Sequence, residues 1–143
     1  MNPEALERLL TEVQKGTFPV KAAIGQLRTL PYEDLGFASV DHHRSLRQGF
    51  PEVIFCEGKT LVQIRAIAKA LLKHHRPLLA TRATRQVATL IKRLVRRAVY
   101  HDEARIVSIR DPKRRLQGHI LVMTAGTSDI PVAEEARVTA EVM

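Results

Sequence analysis

Apolar residues recur with helical spacing at the start of the chain. Leu6, Leu9, Leu10 and Val13 share one face of residues 3–15. Asn2 is a candidate N-cap, Pro3 suits the first helical position, and Gly16 ends the run. A second short helix is predicted from Pro19, burying Val20, Ala23, Ile24 and Leu27. A turn-rich stretch from Pro31 to Ala38 then leads onward, so residues 1–38 read as a helical segment.

From Glu52 the pattern changes. EVIFC is a short β-rich run, and Thr60 to His74 place Leu61, Ile64, Ile67, Ala68 and Leu71 on one helical face. LLAT (78–81) is strand-like. Residues 84–97 give the clearest helix: Val87, Leu90, Ile91, Leu94 and Val95 form a stripe, with Arg85, Lys92, Arg93, Arg96 and Arg97 mostly opposite. AVYH and RIVSI (105–109) are further strands. Strands alternating with helices predict an α/β fold, a small parallel or mixed sheet covered by helices. DPKRRLQG (111–118) reads as a linker, which makes residues 39–118 one small α/β domain.

Residues 119–143 read as a buried strand, a small-residue turn and a helix with Pro131 in its first turn. A lone strand–helix pair cannot bury both its apolar faces, and no second strand follows for the first to pair with. The expectation is a chain that stops in mid-pattern.

Composition narrows the class. Hydrophobic residues are 45% and charged residues 27% of 143, an ordinary globular balance. The one cysteine, Cys56, excludes an intrachain disulfide and a zinc site of several thiolates. No apolar run approaches a membrane span of ~20 residues, and MNPEALERLL lacks the pattern of a signal peptide. A cytoplasmic protein with no membrane partner is the expectation. The net charge of +8 is concentrated: Lys73 to His119 hold 13 basic and 3 acidic residues. Such a field attracts phosphates, nucleotides or nucleic acid. Aromatics at 4% and no Trp disfavour base-stacking on single strands.

Two constellations carry candidate chemistry. In AGTSD, Gly126 permits close backbone approach, while Thr127, Ser128 and the following helix N-terminus can hold a phosphate. The other reading is that Ser128 or Asp129 caps the helix, with Glu134 and Glu135 complementing its dipole. The second constellation spans residues 41–60. Asp41, His42, His43, Arg44 and Arg47 crowd before a buried strand, and Glu57, Gly58 and Lys59 follow it. This could be an acid–base and anion site at a sheet crevice, or an Arg–Asp network stitching the N-terminal helices to the sheet. The pairs His42–His43 and His74–His75 lack metal-ligand spacing, so no metal site is expected. Cys56 amid Ile54 and Phe55 reads as a small core hydrophobe. The basic helix and Lys113–Arg115 read as solvated faces, with nucleic acid the sharper alternative.

The runs LPYEDLGFASVDHHRSLRQGFPEVIFCEGKT, LATRAT and VMTAGTSDIPVAEEARVTAEVM resemble the LarB family. That family carries the older labels circadian phase modifier and NCAIR-mutase-like, after its similarity to the PurE carboxylase of purine synthesis. The resemblance covers nearly the whole chain from Leu6. It implies carboxylation of the pyridinium ring of nicotinic acid adenine dinucleotide, with hydrolysis of its phosphoanhydride. The products are AMP and pyridinium-3,5-biscarboxylic acid mononucleotide, a precursor of the nickel-pincer nucleotide cofactor. Carbon dioxide is the co-substrate, no organic cofactor is bound, and magnesium assists at most. The resemblance assigns phosphoribosyl binding to Thr127, Ser128 and Asp129. It places the DHHR run (Asp41, His42, His43, Arg44), Lys59 and Arg82 near the active site. Asp41, His42, His43 and Lys59 are the catalytic candidates, and Arg44, Arg47 and Arg82 the candidates for binding substrate phosphate. Residues 119–143 become the first strand–turn–helix of a Rossmann-like PurE domain, whose remainder would hold the covalent cysteine and the octamer contacts. Cys56 is not that cysteine, and this chain alone is expected to be inactive. Carboxylation of aminoimidazole ribonucleotide is the alternative reaction, which needs no domain like residues 1–118. A non-catalytic basic binding module is the alternative outside enzymes.

Overall fold

The computed structural model describes residues 3–27, 32–74, 77–111 and 115–143. Asn2, Pro31, His75, Lys113 and Arg114, named above, lie outside the described residues. Helices α1 (Pro3–Gln14) and α2 (Val20–Leu27) pack as an N-terminal hairpin that buries Leu9 and Ala23. Val20 and Ile24, expected inside, are each 61% exposed. A two-turn helix meets α1 along too narrow a strip to cover its whole apolar face.

Strands β1 (Tyr32–Asp34) and β2 (Ser39–Asp41) pair antiparallel where the sequence suggested only turns. Leu35 N–H donates to the Ala38 carbonyl at 2.9 Å, and Gly36 N–H to Asp34 Oδ1 at 2.8 Å. Val40 of β2 is buried in the main core and so anchors this hairpin. Helix α3 (Arg44–Gln48) follows and ends at Gly49, whose φ of 75° is the left-handed stop that glycine adopts without a Cβ penalty.

Strands β3 (Val53–Phe55), β4 (Leu78–Thr81), β5 (Val99–His101) and β6 (Ile106–Ile109) form one sheet in the order β3-β4-β6-β5. The β3–β4 pair is parallel, bridged by α4 (Leu61–His74); the other two pairs are antiparallel. The expectation of a mixed α/β sheet holds. Strand alternation sends Leu78, Ala80, Val107 and Ile109 to one face, with Ile64, Ala68 and Leu71 of α4. Val87, Ala88 and Ile91 of α5 (Arg85–Leu94) join them. Thr84 caps α5, its side chain accepting from the Val87 N–H. The helix stops at Leu94, three residues before the expected Arg97, because Val95 is extended and buried Ala98 turns the chain into β5.

The opposite face presents Leu79 and Ile106, covered by Val138 and Val142 of α6 (Ile130–Val142). A short 3-10 turn over Thr127–Asp129 leads into this helix. The strand expected at 119–123 is absent: Ile120 is 74% exposed, and Leu121 and Met123 each 81%. An isolated extended segment has no ladder to join, so its apolar side chains stay in water.

The two-faced burial sets a stability test. Ile106→Ala should cost about 2–5 kcal/mol, while Ile120→Ala should stay within about 0.5 kcal/mol of the parent. Urea unfolding of both variants checks the contrast.

Candidate functional site

The constellation over residues 41–60 is divided by β3. Asp41, His42, His43 and Arg47 lie at its N-terminal end, where the Glu52 carboxylate accepts the Asp41 N–H. Asp41 Oδ1 accepts the His43 N–H at 2.9 Å and Oδ2 accepts from the Arg47 guanidinium. Hydrogen bonds donated by the guanidinium to Tyr32 and Asp41 push the Arg47 pKa up. His42 is buried, with Nε2 2.9 Å from Glu33 Oε2, and Lys73 Nζ reaches Glu33 Oε1 at 3.3 Å. Arg44 opens α3 and is exposed. The cluster ties the β1–β2 hairpin to α3, β3 and the end of α4. The Arg–Asp network thus stitches this hairpin, not the N-terminal helices.

The C-terminal ends of β3 and β4 hold a second group. Phe55 pairs with Thr81, and Cys56 N–H donates to the Thr81 carbonyl at 3.0 Å, so the two loops leave the sheet side by side. Gly58, at φ 74°, turns the first loop, and Lys59 Nζ stands 5.8 Å from the centre of the Phe55 ring. Arg82 opens the second loop and pairs with Glu135 of α6 at 3.3 Å. At the other end of α6, Glu141 pairs with Arg110, which follows β6. Since β6 runs against β4, α6 also runs against β4. Its N-terminal turn, Thr127–Asp129, is therefore carried to the same end as Lys59 and Arg82. In parallel-strand sheets this end forms the ligand crevice.

The turn itself is exposed. Thr124 Oγ1 lies 3.4 Å from Asp129 Oδ2, and Ser128 Oγ lies 3.4 Å from Asp129 Oδ1. Asp129 makes no side-chain capping bond, so the capping role considered for it is not used. Glu134 is held by Arg137 at 2.8–3.1 Å and Glu135 by Arg82, which offsets the carboxylates that would repel an anion. Sequence reasoning missed Glu33 and Glu52, and the pairing of Glu135 with Arg82, because the partners are distant in the chain.

Cys56 is buried, and desolvation pushes its thiol up to about 11 against a smaller opposing pull from Lys59. Burial and the raised pKa both keep the thiolate scarce near neutral pH, as suits a small core side chain. A thiol-exchange reagent should label Cys56 slowly in the folded chain and rapidly in urea; fast labelling of the folded chain would contradict the burial. Glu33 gives a pH test. The hydrogen bond from His42, then Lys73, holds its carboxyl below the ordinary 4.5, overcoming desolvation. A lowered folded pKa contributes stability above about pH 4.5 and loses it as pH falls through the folded value. Glu33→Gln should cost about 1–2 kcal/mol at pH 7 and much less at pH 3, measured by urea unfolding at both pH values.

A family model described as the LarB/PurE-like N-terminal domain matches residues 32–112. An uncharacterized protein of Methanocaldococcus jannaschii is 28% identical over 146 residues, covering 96% of this chain and 57% of the relative. The chain thus spans little more than half the length of that relative. The match runs from β1 through the end of the four-stranded sheet, taking in the Asp41 cluster, Lys59 and Arg82. The chain belongs to the LarB/PurE-like family through its N-terminal domain.

Proposed function

We propose that this chain forms the N-terminal part of a nucleotide carboxylase and hydrolase of the LarB type. The reaction carboxylates the pyridinium ring of nicotinic acid adenine dinucleotide with carbon dioxide. It also cleaves the phosphoanhydride, giving AMP and pyridinium-3,5-biscarboxylic acid mononucleotide for nickel-pincer cofactor assembly. The observation that carries this reading is the family match over residues 32–112, within which the DHHR and GKT runs lie. The substrate is a polyanion, which suits a chain of net charge +8.

In this reading Lys59, Arg82 and the Thr127–Asp129 turn meet the nucleotide phosphates. The Asp41–Arg47 cluster supports them by holding the hairpin and α3 against the sheet. An electron-poor pyridinium accepts a cysteine thiolate, which makes a ring carbon nucleophilic toward carbon dioxide. Cys56, buried and protonated, does not fill that role. The same resemblance implies no bound organic cofactor, with magnesium assisting at most. The resemblance also implies a homo-octamer, and a cytoplasmic location is part of the same proposal. Among the described residues no helix is long and apolar enough to cross a membrane.

The PurE-like half of the family description keeps aminoimidazole ribonucleotide as the competing substrate. Calorimetric titration should show nicotinic acid adenine dinucleotide binding at least tenfold more tightly than aminoimidazole ribonucleotide. NMR shift changes should centre on Lys59, Arg82 and residues 126–129. With ¹³C-bicarbonate present, mass spectrometry should find no carboxylated mononucleotide from this chain alone. The opposite substrate preference, or product from the chain alone, would contradict the proposal.

A further inference from the structure

Two residues other than glycine have positive φ among the described residues: Arg82 and Arg105, both at 51°. This left-handed region crowds Cβ against the backbone, and glycine or asparagine ordinarily occupies it. The two positions are neighbours. Continuing the β4–β6 register past Ala80↔Val107 sets residue 82 opposite 105, and the Ala83 N–H donates to the Arg105 carbonyl at 2.7 Å. Both lie at the C-terminal end of β4, where the ligand crevice opens. Continuing the β3–β4 register sets Cys56 beside Arg82, with Lys59 in the loop that follows.

Arg82 directly follows β4 and Arg105 directly precedes β6, so their backbones stand side by side one strand spacing, ~5 Å, apart, with Lys59 in the loop after β3. Acidic side chains lie close by as well. Asp102 pairs with Arg85 and Glu135 with Arg82, while Glu57 and Glu103 are exposed in the adjoining turns. The turn at 105 needs only a left-handed residue, which glycine supplies at less conformational cost. Arginine there adds a long exposed cation at the crevice, and strained backbone of this kind gathers at ligand sites.

We propose that Arg105 is a second anion-binding arginine, acting with Arg82 to hold two linked phosphates, the diphosphate bridge of a dinucleotide. Two guanidinium forks on adjacent strands suit the paired oxygens of a diphosphate better than a single point charge does. Glu135 competes for Arg82 in the free chain and yields it to the ligand. The inference rests on the crevice assigned under the proposed function and names the part of the substrate it grips.

The test uses inorganic pyrophosphate as the probe, titrated calorimetrically at low salt, with thermal unfolding of each variant. Arg105→Gly should leave Tm equal or raised, because the strain is relieved, while weakening pyrophosphate binding at least tenfold. Arg105→Lys should recover part of the affinity, and Glu135→Gln should tighten binding by freeing Arg82. Arg93→Ala, which removes an equal charge from α5, should change affinity less than twofold. Undetectable binding by the parent chain, unchanged affinity in Arg105→Gly, or equal losses in Arg105→Gly and Arg93→Ala would each overturn the inference. Tight pyrophosphate binding without preference for nicotinic acid adenine dinucleotide would sink the proposed substrate and leave the arginine pair standing. A dinucleotide that binds equally well to Arg105→Gly would do the reverse.

Discussion

Leu79 and Ile106 project from the face of the sheet that α4 and α5 do not reach, and something must cover them. Val138 and Val142 of α6 do so. Burying each such side chain contributes about 1.5–3 kcal/mol, enough to hold a thirteen-residue helix against the sheet. The direction of that helix follows from charge. Arg82 takes Glu135 at one end of the sheet and Arg110 takes Glu141 at the other. These exposed pairs are individually weak, but a reversed helix would lose both. Direction matters because it carries the Thr127–Asp129 turn to the end of the sheet where Lys59 and Arg82 emerge. Apolar burial thus decides that α6 docks, and the ion pairs decide which way its N-terminus points.

The two ends of the parallel pair do different work. At the N-terminal end, carboxylates are engaged: Asp41 by His43 and Arg47, Glu33 by His42 and Lys73, and Glu52 by the Asp41 backbone. That arrangement supports the hairpin. At the C-terminal end, cations and hydroxyls are presented to solvent and the backbone is strained at two arginines. The proposed nucleotide recognition falls at the second end, where parallel strands create a crevice.

The regular elements were legible from the chain because their signals are local. α4, β4, α5, β5 and β6 were all readable from the spacing of Ile64, Ile67, Leu71, Val87 and Ile91 and from short β-branched runs. The β1–β2 hairpin was not, since Tyr32–Asp34 and Ser39–Asp41 are short and mostly polar, without an apolar run to mark a strand. Residues 119–123 read as a strand from composition alone, yet a strand exists only with a partner to receive its hydrogen bonds. The DHHR, Lys59 and Arg82 positions were visible through family resemblance. The placing of the DHHR run before β3 and Lys59 after it was also legible, but the approach of Arg82 to the Lys59 loop was not, because it depends on the parallel crossover through α4. The pairing of Glu135 with Arg82 and the nearness of Arg105 to Arg82 stayed hidden for the same reason, being set by α6 packing and by the β4–β6 register.

The docking of α6 on the second face of the sheet is what this account rests on most. Methyl–methyl NOEs measured on a sample labelled at Ile, Leu and Val would test it directly. The account predicts cross-peaks from Val138 to both Ile106 and Leu79, with slow amide exchange through the C-terminal half of α6. Absence of those cross-peaks, with α6 amides exchanging as fast as those of an isolated helix, would contradict it.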